Sequence, residues 1–162
     1  IEPSTENYKI LQKNYRRQFF SPDITIVQEA VSDKKGTARL SVGKGAENTF
    51  SVSTKFETVP CDTLLSIAQR YGFENVDFIK IDIEGSEPLL RESLRIVRTK
   101  ANLLEVWSRA NPKQNAPLLQ MLLEQYVCYS SEGLRFAGFP ELEQYLDRDD
   151  AQDLWFIRER VS

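Results

Sequence analysis

The sequence predicts an α/β protein built on a mostly parallel sheet that helices cover on both faces. Three observations predict it. Helical and extended patterns alternate along the chain; two extended runs, "VDFIKIDI" and "NLLEVW", are nearly continuous in apolar residues; and no repeat, low-complexity tract or linker interrupts the alternation. The first of those runs ends in a polar knot, "DIEGSE" at residues 82–87, which sets three carboxylates at the lip of the most apolar strand.

Residues 4–18 place Tyr8, Leu11 and Tyr15 on one helical face, with Ser4 or Thr5 as the N-cap. Residues 23–31, "DITIVQEAV", are β-branched and apolar and predict a strand that runs into the turn "SDKKG". Two weaker extended pieces in residues 37–56, "TARLSV" and "TFSVSTKF", predict a hairpin. Asp62 then caps a helix whose stripe is Leu64, Ile67, Ala68 and Tyr71 and whose stop is Gly72.

The strand at 76–83 follows directly. Pro88 suits the first turn of a helix that turns Leu90, Leu94 and Val97 to the core. Residues 102–107 form the next strand, and residues 112–126 carry Leu118, Leu119, Leu122, Leu123 and Tyr126 in helical register. The remainder combines a turn at Gly133, an acidic surface segment at 147–150 and a final strand, "LWFIRE". Strands 24–31, 76–83 and 103–107 are expected as parallel neighbours in one sheet, with the last strand antiparallel to its partner.

The length of 162 residues fits a single domain, 1–162, able to bury roughly two thirds of its unfolded surface. With 41% hydrophobic and 28% charged residues, it falls outside the disordered and fibrous classes. A net charge of -3 gives no global attraction to nucleic-acid phosphates or anionic lipid, and no apolar run reaches the roughly 18 residues of a membrane span. Two cysteines, Cys61 and Cys128, suit a reducing, cytoplasmic setting better than a disulfide framework or a zinc ribbon.

Histidine is absent, which excludes Ser-His-Asp and Cys-His machinery and the commonest zinc ligand sets. Any chemistry therefore uses carboxylates, Lys, Tyr, Ser or the backbone. The first residue, Ile1, opens no signal peptide; since it is not Met, the amino terminus reads as processed, trimmed or cut from something longer.

In an open parallel sheet, ligands bind beyond the carboxyl ends of the strands. Glu2 ends a first fragmentary strand, Asp82 and Glu84 end the central one, and Glu105 lies near the end of the next, so neighbouring strands would gather negative charge in one crevice. Three readings are open. Each acid caps a helix or pairs with an Arg; the cluster holds Mg2+ for phosphoryl transfer, though without a Gly-rich phosphate loop; or the crevice takes a positively charged nucleoside cofactor, with Glu2 on the ribose hydroxyls.

The blocks "IEPSTENYKILQKN", "VQEAVSDKKGTARL", "FIKIDIEGSEPLL" and "LLEVW" resemble the FkbM-type methyltransferases, which use S-adenosylmethionine. The resemblance runs from Glu2 almost to the end of the chain, and "KIDIEGSE" is its most specific block. It implies a Rossmann-like class I methyltransferase fold, a doubly wound and largely parallel sheet that ends in an antiparallel carboxyl-terminal hairpin. It implies Glu2 on the cofactor ribose, Glu29 and Ala30 beside the adenine, and Asp82, Glu84 and Gly85 at the reaction end; Asn14 matches a recurrent position as well.

The family's first strand and Gly-rich loop belong before Glu2, so the chain reads as a domain without its first βα unit. The 162 residues alone are then expected to bind S-adenosylhomocysteine weakly or not at all, and the exposed sheet flank to favour self-association or a role as a non-catalytic interaction module. The expected reaction is O-methylation of a hydroxyl on a sugar, glycan or small metabolite. Asp82 is the first choice and Glu84 the second to take the hydroxyl proton, and Lys80 is expected to face the packing. Residues 133–139, "GLRFAGF", offer either an aromatic lid or core in Phe136 and Phe139.

Overall fold

A computed structural model describes residues 1–16, 23–41, 56–73, 75–83, 85–107, 112–147 and 151–158. The chain divides into two compact units, Ile1–Tyr71 and Gly72–Ser162. Among the described residues no helix is long and apolar enough to cross a membrane.

The first unit carries α1 (Thr5–Arg16), β1 (Ala30–Ser32), β2 (Gly36–Ser41), β3 (Phe56–Thr63) and α2 (Leu64–Arg70). Its sheet has the order β1-β3-β2, with β1 parallel and β2 antiparallel to β3. The β2–β3 ladder runs from Gly36↔Cys61 to Ser41↔Phe56. Of the expected hairpin the first arm is β2, while the second, "TFSVSTKF", lies outside the described residues apart from Phe56; the strand that β2 pairs with is "FETVPCDT", which buries Val59, Cys61 and Asp62.

The helix α2 starts one residue later than expected. Thr63 is the N-cap and its Oγ1 accepts the Ser66 amide at 3.1 Å, while Asp62 accepts the Thr63 amide at 2.8 Å. Gly72 follows the helix at φ 75°, a left-handed conformation that favours glycine and stops the helix as expected. Ile67 and Ala68 are the residues α2 buries. By contrast α1 has no fully buried residue, and Leu11 of its expected core stripe is exposed.

The predicted strand at 23–31 shrinks to Ala30–Ser32. A strand needs a continuous ladder, and what residues 23–29 show is an isolated bond, the Glu2 amide to the Val27 carbonyl at 2.9 Å.

In the second unit, β4 (Phe78–Ile81) leads through a 3₁₀ turn (Glu87–Leu90) into α3 (Arg91–Ile96) and β5 (Ala101–Trp107). Then come α4 (Pro112–Leu123), β6 (Val127–Ser130), β7 (Arg135–Phe136), α5 (Phe139–Leu146) and β8 (Ala151–Ile157). The five strands take the order β4-β5-β8-β6-β7. The β4 and β5 strands are parallel, as a crossover through α3 requires, while β8 inserts antiparallel between β5 and β6.

The pleat sorts the side chains of this sheet. Leu104, Leu154, Phe156 and Cys128 are completely buried, with Leu94, Leu118, Leu119, Leu122 and Leu142 from the helices forming the rest of the core. On the opposite face Leu103, Trp155 and Tyr129 are half-buried, and Phe78 is 47% exposed and stacks on Trp155 at 5.9 Å between ring centroids. At the amino end of β5 the Tyr126 hydroxyl meets Thr99 Oγ1 at 3.2 Å and accepts from Arg158 at 3.3 Å, while Thr99 Oγ1 donates to Asn102 at 2.8 Å. This network ties the start of β5, the turn between α4 and β6 and the residue after β8 together.

These pairings correct three expectations. The sheets are mixed rather than mostly parallel: β1–β3 and β4–β5 are parallel, whereas β2–β3, β5–β8, β6–β8 and β6–β7 are antiparallel, because hairpins and a returning last strand replace crossovers. Among the described residues strand "VDFIKIDI" is an edge of its five-stranded sheet, not its centre, and its pattern alternates in burial. The strand at Ala30–Ser32 pairs in the other sheet. The parallel β4–β5 pair and the antiparallel last strand are as expected.

Candidate functional site

In the first unit the backbone stitches Glu2 to the segment that carries Glu29. Beside the Glu2–Val27 bond, Gln28 Nε2 donates to Thr5 Oγ1 at 3.0 Å, and Glu57 of β3 accepts the Thr5 amide at 3.1 Å. Glu2 itself turns Oε1 onto the Ser4 amide at 2.8 Å, which is the helix-capping role for an acid near a helix start. Ser4's amide takes one acceptor site of a carboxylate that has about four.

Glu29 is more constrained. Its Oε1 is ion-paired with the Arg70 guanidinium, whose other nitrogen reaches Asp62 Oδ2 at 2.8 Å. Its Oε2 is buried with no hydrogen-bond partner among the described residues. Ala30, the next residue, opens β1 opposite Cys61.

Asp62 completes this cluster. Burial pushes its carboxyl up, yet the Thr63 amide, the Ser66 hydroxyl at 3.0 Å and Arg70 outweigh burial and hold it below its ordinary range. Hydrogen bonding to Glu29 raises the Arg70 pKa in turn. Asp62 and Arg70 belong to the site around Glu29, and the sequence named the first as a cap and the second not at all.

In the second unit Asp82 follows β4 directly. The register Lys80↔Leu103, Ile81↔Leu104 carries it to the level of Glu105 on β5, and Glu105 is in turn paired with Asp153 on β8. Of the acids expected to gather at the strand ends, Asp82 and Glu105 lie on or directly after adjacent parallel strands, whereas Glu2 belongs to the first unit. Asp82 is open to solvent, with Lys80 Nζ 3.5 Å from its Oδ2. Lys80 is exposed as well, contrary to the expected packing role, because this edge strand turns it to the uncovered face. Glu84 lies outside the described residues.

Beyond Asp82 the chain folds into a tight turn. The Ser86 amide bonds the Ile83 carbonyl at 3.2 Å, and Gly85 sits at φ 89°, where a side chain is strained. Glu87, completely buried, reaches back so that its Oε1 accepts the amides of Gly85 at 3.1 Å and Ile83 at 3.4 Å. Burial raises its pKa against the pull of those amides, and the charge of Asp82 adds to the rise. The sequence counted Glu87 among the carboxylates but gave it no role; Pro88 after it and Gly85 before it were the available signals of a reversed loop.

Of the aromatic segment, Phe136 takes the core role: it is buried and packs on Tyr145 of α5 at 5.0 Å between centroids. Phe139 is half-buried at the start of α5, a helix that the spacing of Pro140, Leu142, Tyr145 and Leu146 signals in the sequence. Among the described residues no group of three or more acidic, Cys or His side chains is arranged to hold a metal ion.

Set against known proteins, residues 1–149 match the family described as the methyltransferase FkbM domain. No curated protein and no solved structure matches the chain.

Proposed function

The chain belongs to the methyltransferase FkbM domain family, and from that premise we propose that it moves the methyl group of S-adenosylmethionine onto a hydroxyl of a sugar or small metabolite. The observation that carries this reading is the match of residues 1–149 to the methyltransferase FkbM domain. Glu29, anchored by Arg70 in the first unit, is the residue proposed for the nucleoside end of the cofactor. Glu2 keeps acceptor capacity for ribose hydroxyls beside its bond to Ser4.

When bound, the cofactor supplies a methyl group activated on a positively charged sulfur. Asp82, in the second unit, serves the acceptor. Ionised it is a pure hydrogen-bond acceptor, and its contact with Lys80 is an exposed ion pair of little strength, so it is free to orient an incoming hydroxyl and take its proton. Glu84 is the second candidate for that task. Positioning and a proton acceptor supply much of what such a displacement needs.

The parallel β4–β5 pair and the antiparallel β8 between β5 and β6 support the Rossmann-like class I fold with its antiparallel carboxyl-terminal hairpin. Two free, buried thiols, Cys61 and Cys128, support a cytoplasmic setting.

Release of S-adenosylhomocysteine from S-adenosylmethionine over a panel of sugars and polyols tests the reading. In the full-length protein we expect turnover with at least one hydroxyl acceptor, reduced on the order of 100-fold or more in Asp82→Asn. Turnover unchanged by that substitution removes Asp82 from the chemistry, and no turnover with any acceptor counts against O-methylation.

A second reading has its own observation. Among the described residues β4 has β5 as its one partner strand, and Phe78 is exposed beside the open edge, which favours self-association. Light scattering that finds a monomer at all concentrations rejects it.

A further inference from the structure

We propose that Glu87 is a positioning residue: it fixes the turn that follows Asp82 and so sets where the Asp82 carboxylate is presented. The inference rests on the reading of Asp82 as proton acceptor. Ordinary loops satisfy their amides with water or backbone carbonyls, but here a completely buried side chain does so, one oxygen taking both the Ile83 and the Gly85 amide. The 3₁₀ turn that carries Glu87 packs against α3 and α4, so the clamp is anchored in the rigid part of the unit while its grip lies on the loop.

The remaining geometry agrees. The Ser86 amide to the Ile83 carbonyl and the left-handed Gly85 close the turn from the backbone side, and neither constrains the residues before Ile83. The bond from the Ile83 amide to Glu87 does, because it fixes the peptide plane between Asp82 and Ile83. Asp82 is exposed and its Lys80 partner is weakly held, so the fixed peptide plane is a restraint on the backbone from which its carboxylate projects.

The test compares Glu87→Ala and Glu87→Gln in two measurements, amide hydrogen exchange and S-adenosylhomocysteine release. Glu87→Ala is expected to speed exchange at Ile83 and Gly85 about tenfold or more with Leu104 and Phe156 unchanged, and to lower kcat about tenfold with KM for S-adenosylmethionine unchanged. Glu87→Gln keeps a carbonyl acceptor and is expected to stay within about threefold of the unaltered chain in both. If Glu87→Ala does not fold, Glu87→Asp, too short to reach both amides, carries the same expectation.

The proposal is overturned if the two loop amides exchange as slowly as before, if Leu104 and Phe156 speed up with them, or if Glu87→Gln loses as much as Glu87→Ala. Full-length protein without turnover counts against the methyl-transfer reading, while the exchange comparison still decides whether Glu87 holds the loop.

Discussion

Glu29 and Arg70 form an ion pair across 41 residues of chain, joining the residue before β1 to the last turn of α2. The same guanidinium holds Asp62, so one side chain fixes two carboxylates. Arg70→Met is expected to release Glu29 and weaken S-adenosylhomocysteine binding about tenfold or more, as loss of a charge-assisted hydrogen bond does. Calorimetric titration of both proteins checks it; equal affinities would show that Glu29 needs no anchor.

The two perturbed carboxyls give opposite pH dependences. Glu87 is raised in the fold, so the stability it confers is complete below its ordinary 4.5 and is lost as pH rises through the raised value. Asp62 is lowered, so its contribution is complete above its ordinary 3.8 and is lost as pH falls through the lowered value. Thermal melts over about pH 3 to 7 are expected to lose the decline above pH 4.5 in Glu87→Gln. An unchanged profile in that variant would mean Glu87 titrates alike folded and unfolded.

Gly85→Ala places a Cβ on a left-handed residue at φ 89° and is expected to cost about 1–2 kcal/mol, measured by urea unfolding. A neutral substitution would show that the turn relaxes without strain.

Leu104→Ala, at the completely buried centre of β5, is expected to cost about 2–5 kcal/mol by the same measurement. A loss below about 1 kcal/mol would mean the sheet collapses around the gap.

Cys128 is buried and its thiol is pushed up to about 12, so it is inert at neutral pH. Iodoacetamide is expected to label it at a useful rate only after denaturation; rapid labelling of the folded chain would contradict the burial.

Much of the fold was legible because its signals are local. The cap region at residues 62–63, the stop at Gly72, the parallel pair joined by a short crossover and the final antiparallel strand each follow from spacing within a few residues. The layout of the sheets was not legible, because apolar runs report burial and not partners: Phe78 and Lys80 look like core in "VDFIKIDI" and lie on an exposed face. Among the candidate residues, Glu2 and Glu29 of the first unit and Asp82 of the second were visible as residues of the right type beside strand signals. Arg70 and Glu87 were not, since one acts across 41 residues and the other by folding back into its own loop.

The most direct test is a titration of the ¹⁵N-labelled full-length protein with S-adenosylhomocysteine followed residue by residue by NMR, which registers weak as well as tight binding. The account predicts saturable shifts at the amides of Glu2, Glu29, Ala30 and Val31, abolished in Glu29→Ala while the fold persists. Saturable shifts that avoid those residues, or none at all up to the solubility of the ligand, would contradict it.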